Sequence, residues 1–91
     1  MANLIFTLQT DGFYSAEFQA DGDFALHIER AEADVLVLQQ KSVSNGKYAD
    51  VQHPGINNNA LVIDVDVQGF VAPKWFKVKS KSMPTMAVTV E

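Results

Sequence analysis

The chain has no cysteine, so neither a disulfide nor a thiolate metal site can reinforce it. Its histidines, His27 and His53, come without a nucleophile elbow or a glycine-rich phosphate loop. No catalytic constellation is read from them, and the expectation is a protein that is not an enzyme. Helical periodicity is missing along the whole chain. The longest strongly apolar stretch, Ala60 to Val67, contains two aspartates and is far too short to cross a bilayer. The start, Met-Ala-Asn-Leu-Ile-Phe, lacks the basic region, long apolar core and cleavage site of a signal peptide, so none is expected. Positive charge is scarce as well. The net charge of −4 weighs against general nucleic-acid binding, where a basic face supplies most of the affinity.

What is present is β pattern. Ninety-one residues make one domain, 1–91, and 47% of them are apolar, which argues against disorder. A chain of this size buries roughly 60–65% of the surface its unfolded form exposes. With no crosslink, it is expected to gain stability by association. Period-two alternation predicts about eight strands: 3–9, 13–19, 23–29, 35–41, 47–52, 60–67, 74–80 and 85–90. Only Arg30–Ala33 competes, as a short helical turn. The fold class is therefore all-β, a small jelly-roll-like β-sandwich.

Asp11-Gly12, Asp21-Gly22 and Asn45-Gly46 separate these segments, and such dipeptides supply the positive φ of tight turns. A two-residue Asp-Gly turn would set apolar residues against polar ones. Three-residue loops, Thr10-Asp11-Gly12 and Ala20-Asp21-Gly22, instead set Leu8 opposite Tyr14, Phe6 opposite Ala16 and Leu4 opposite Phe18. They likewise set Phe18 opposite Phe24 and Ala16 opposite Leu26. Sequential strands in a jelly roll need not pair, and strand two could lie in the opposite sheet. Ser44-Asn45-Gly46-Lys47 fits a two-residue type I′ turn that places Lys41 opposite Asp50 and Val43 opposite Tyr48. Positive φ is expected at Gly12, Gly22 and Gly46.

Several groups have chemical potential. Asp64 and Asp66 share one strand face, and with Asp50 and Asn57-Asn58-Asn59 they are oxygen donors of the kind calcium takes. No acidic loop of defined spacing accompanies them, and a solvent-facing strand with Leu61, Ile63, Val65 and Val67 inside explains them better. Lys74, Lys77, Lys79 and Lys81, interleaved with Trp75 and Phe76, resemble a nucleic-acid strip. A hairpin of 60–67 with 74–80 would instead put Asp64 near Lys77, and lysines also discourage edge pairing. Trp75 lies on the polar phase of its strand. It is either buried at the rim or between sheets, or it is an interface anchor.

The hairpin from Val35 to Tyr48, with its Ser44-Asn45-Gly46 turn, resembles that of galactose-binding-like jelly rolls. Lys74-Trp75-Phe76-Lys77-Val78-Lys79-Ser80 resembles their late aromatic-valine-arginine strand, with lysine in place of arginine. That fold class includes carbohydrate-binding modules. The chain also resembles small β-sandwich virion proteins of tailed bacteriophages, through the Asn-Gly hairpin and the Lys-Trp-Phe-Lys-Val strand. Their Ser-x-x-Pro-Thr-x-Ala-x-Val ending is matched by Ser80 to Val88 only with an insertion.

The resemblance spans roughly the C-terminal two-thirds and brings no catalytic residues. It implies a head decoration or auxiliary protein, or a tail or fibre part, made in the host cytoplasm and carried in the virion. The expected partners are a second copy or a major virion subunit, with no cofactor, membrane or nucleic acid. The expected interface residues are Trp75, Lys77, His53, Asn57 and Asn58. The rival expectation is a module that binds a glycan.

Overall fold

The structure is a computed structural model that describes residues 2–91. Among the described residues nine strands follow one another: β1 (Ala2–Asn3), β2 (Thr7–Leu8), β3 (Tyr14–Ala20), β4 (Phe24–Glu29), β5 (Leu36–Lys41), β6 (Ala49–Asp50), β7 (Val62–Val67), β8 (Lys74–Ser80) and β9 (Met86–Val90). They form two antiparallel sheets, one ordered β1-β9-β4-β7 and the other β2-β3-β8-β5-β6. From β3 onward every connection except β5–β6 changes sheet, which is the winding of a jelly roll. The expected first strand is split. Its start pairs with β9 and its end with β3, and the intervening corner drops Phe6 into the core.

Alternation builds the core. Leu26, Ile28, Ile63 and Val65 from one sheet meet Leu38, Phe76 and Val78 from the other. Phe76 stacks on Phe18 at 5.7 Å between ring centroids and meets Phe24 and Phe70 edge-on at 5.1 and 5.2 Å. Such aromatic geometry adds about 0.5–1.5 kcal/mol per pair beyond area burial. Arg30–Ala33 forms no helical turn and crosses between the layers as irregular chain.

The turns divide sharply. The first loop has the expected three-residue register, with Leu8 opposite Tyr14, and Gly12 has a φ of +85°. The Asp11 carboxylate accepts the Phe13 N–H at 2.9 Å, which locks the turn. Leu8 itself is 62% exposed, and neither Phe6 nor Leu4 pairs with β3, because the chain has already crossed to the other sheet.

The expected 20–22 hairpin does not exist. β3 and β4 lie in opposite sheets, and Phe18 meets Phe24 across the core at 5.3 Å rather than across a ladder. Its Gly22 has no positive φ, nor does Gly46, while Gly69 does at +76°. At the third turn Gly46 N–H donates to the Val43 carbonyl at 3.0 Å. The turn thus spans 43–46, one residue earlier than the expected 44–47, which shifts the register by two residues, so Asp50 faces Gln39 instead of Lys41 and accepts its amide at 2.8 Å. Gly12→Ala is expected to cost about 1–2 kcal/mol through the left-handed penalty. Gly22→Ala, where an added Cβ meets nothing within 4 Å, should leave the urea midpoint in place.

Candidate functional site

Trp75 follows from the alternation of β8. Phe76, Val78 and Ser80 point inward, so Trp75, Lys77 and Lys79 point to solvent from the central strand of the five-stranded sheet. Trp75 therefore does not lie between the sheets, but sits near the end of its strand, one residue after the start of β8 and opposite the last residue of β5. It is half-buried, opposite Gln19 on β3 and Lys41 on β5. Around it the same face carries Tyr48, with Lys41 Nζ 4.7 Å and Lys77 Nζ 5.6 Å from its ring centroid. Lys79 and Lys81 lie similarly over Phe13, at 4.9 and 5.1 Å. Partial burial, then the neighbouring Glu17 carboxylate, push the Tyr48 phenol up from its ordinary pKa.

The lysines are partly engaged already. Lys79 pairs with Asp11 at 3.0 Å, and Lys41 donates to the Ser44 carbonyl at 2.9 Å. The Phe13 N–H, then Lys79, hold the Asp11 carboxyl below its ordinary pKa. The expected proximity of Asp64 to Lys77 is absent, because β7 and β8 lie in different sheets. Lys77 faces Glu17 and Gln39 instead. Nor do the β8 lysines guard an edge, since their strand is central.

The other expected interface residues lie elsewhere. His53 lines an open cleft of about 550 Å³ beside the end of β7, together with Gln40, Gln52, Gln68, Phe70 and Lys74. Its Nδ1 accepts the Gly55 N–H at 3.0 Å, so Nε2 carries the proton and donates to the Asp66 carbonyl at 3.0 Å. Asn57 and Asn58 belong to a loop clamp. Their carbonyls accept from the Arg30 guanidinium at 3.2 and 3.4 Å, and the Asn58 side chain accepts the Leu36 N–H at 3.0 Å.

Two features escaped the sequence reading. Arg30 is 4% exposed and donates to the carbonyls of Asp34, Asn57, Asn58 and Ala60. Its only sequence signal is that it is the one arginine of the chain. The glutamines of the cleft are scattered in sequence and carried no signal at all.

On the outer face of the four-stranded sheet, His27 bridges Glu29 at 2.8 Å and Asp64 at 3.3 Å. These two hydrogen bonds, Glu29 first, raise the His27 pKa above its ordinary 6.5. The resulting stabilisation is full below the unfolded value of 6.5 and is lost as pH rises through the higher folded value. An NMR titration should give a His27 pKa above 6.5, and Glu29→Gln should lower it. No group of three or more His, Asp or Glu among the described residues is placed to hold a metal ion. Asp50 belongs to the other sheet, away from Asp64 and Asp66. No protein-family model, curated protein or solved structure matches the chain.

Proposed function

We propose that this domain is a non-enzymatic structural protein of a tailed-bacteriophage-like particle. It acts as a head decoration or auxiliary protein, or as a tail or fibre component, and works by protein–protein association. The particle comes from the resemblance of the Asn45-Gly46 hairpin and the Lys74–Ser80 strand to virion proteins. The mode of action is carried by one observation, a tryptophan on the solvent side of the central strand with Tyr48 and lysines around it. Sheet faces of this kind fit a partner, because tryptophan and tyrosine supply large contact area and concentrate binding energy. A second copy or a major virion subunit is the partner that suits a small uncrosslinked domain.

Sedimentation and co-purification with the encoding particle test this reading. Trp75→Ala is expected to weaken association more than Lys79→Ala, whose ammonium is already tied to Asp11. A monomer that never accompanies the particle would overturn it.

The cleft supports a second reading, a glycan-binding module. Gln40, Gln52 and Gln68 have no side-chain hydrogen bond within the described residues, and all three line the cleft together with Val51, Val67 and Phe70. An amide donates and accepts at once, as adjacent sugar hydroxyls do. Binding of one glycan class on an array, lost in Gln68→Ala, would promote this reading over the first.

A further inference from the structure

The two sheets have four edges, and three are blunted: β1, β2 and β6 are two residues long. The fourth, β7, runs six residues from Val62 to Val67 and, among the described residues, pairs only with β4. The ladder fixes which backbone groups it leaves open. Arg30 N–H donates to the Leu61 carbonyl at 2.8 Å in the same register as the β4–β7 pairs, so Leu61, Ile63, Val65 and Val67 turn their backbone groups toward β4. Val62, Asp64 and Asp66 turn theirs outward. His53 takes the Asp66 carbonyl. No backbone hydrogen bond within the described residues takes the N–H or C=O of Val62 or Asp64 along the free edge. Such a row is a template for another strand.

The side chains say which strand fits. Asp64, 67% exposed, and Asp66 lie two residues apart on the outer face, while Leu61 and Val62 expose 49% and 56% of their surface at the start of the edge. We propose that the β7 edge receives an extended segment of a different protein, one carrying lysine or arginine at alternate positions. Period two then sets its cations opposite Asp64 and Asp66. A second copy is a poor occupant. Pairing β7 with β7 through these open groups puts aspartates opposite or diagonal to aspartates, and the lysine-bearing β8 is locked between β3 and β5. The proposal rests on the association reading only for its purpose, and it is tested without the particle.

The probe is a blocked peptide Lys-Val-Lys-Thr-Lys, with Glu-Val-Glu-Thr-Glu as its control, added to the isotopically labelled full chain. Amide exchange at Val62 and Asp64 is expected to slow, while Ile63 and Val65, already bonded to β4, stay as they were. The control should bind about tenfold more weakly or less, from two cross-strand pairs changed from attraction to repulsion. Asp64→Lys with Asp66→Lys should reverse that preference. Unchanged exchange at Val62 and Asp64, or equal response to both peptides, overturns the proposal. So does an Asp64→Asn, Asp66→Asn variant that dimerises through β7 while the parent ignores the lysine peptide, because the aspartates would then only guard the edge. Failure to co-purify with a particle would overturn the particle reading and leave these outcomes standing.

Discussion

Replacing Arg30 by alanine is expected to lower the unfolding free energy by about 3–5 kcal/mol, a large share of the 5–15 kcal/mol that holds a typical domain together. The guanidinium is buried without a carboxylate among its hydrogen-bond partners. Its charge is met by carbonyl dipoles, Asp34 on one side and Asn57, Asn58 and Ala60 on the other. Nη1 serves the first side and Nη2 the second, while Nε finds no partner among the described residues. Hydrogen bonds with a charged member contribute about 1.5–3 kcal/mol each, and truncation leaves carbonyls buried without a donor.

Arg30→Lys keeps the charge but replaces a planar fork by a single point, which cannot serve both sides, so it should recover only part of the loss. Urea midpoints of the two variants measure this. Where the alanine variant stays folded, the Leu36 amide, bonded to Asn58 Oδ1, should exchange faster as the clamp loosens. A wild-type midpoint for Arg30→Ala would mean that the 57–60 loop is held by its other contacts.

Alternation decided which residues face the core along the strands but not at their ends: Ile63, Val65 and Val67 are buried as expected, whereas Leu61, just before β7, is 49% exposed and Leu8 is 62% exposed. The bounds of β8 match the expected strand, β4 alternates as read, and the outward phase of Trp75 followed from the inward phase of Phe76. Alternation does not decide which sheet a strand joins. Phe18 meets Phe24 whether β3 and β4 pair side by side or face each other across the core, so the apolar pattern of residues 14–28 suits both arrangements. The same degeneracy misplaced Asp64 beside Lys77. Turn chemistry was similarly permissive: an Asp-Gly or Asn-Gly pair allows positive φ, and only at Gly12 does the three-residue hairpin require it. The Arg30 clamp and the glutamine cleft depend on residues brought together from distant segments, where no local period exists. What remained legible of the candidate site was the surface phase of β8, which turns Trp75, Lys77 and Lys79 toward solvent.

Gly55→Ala is expected to destabilise the domain by about 1–3 kcal/mol, the usual range for overpacking a core. The cause is steric. A Cβ at Gly55 would lie 2.1 Å from Cγ1 and 3.2 Å from Cβ of Val65, and 3.3 Å from His53 Nδ1. Val65 is buried on β7 and, being β-branched, has few rotamers into which to retreat. The loop must therefore lift off the strand. Lifting weakens the bond from His53 to the Asp66 carbonyl and opens the cleft at its base. A double-mutant cycle with Val65→Ala isolates the contact. Removing Cγ1 should relieve much of the Gly55→Ala penalty, giving a coupling above about 0.5 kcal/mol, whereas residues out of contact add within roughly that amount. Strict additivity would show that the 53–56 turn yields freely and that the closeness of Gly55 to Val65 does not limit the side chain at that position.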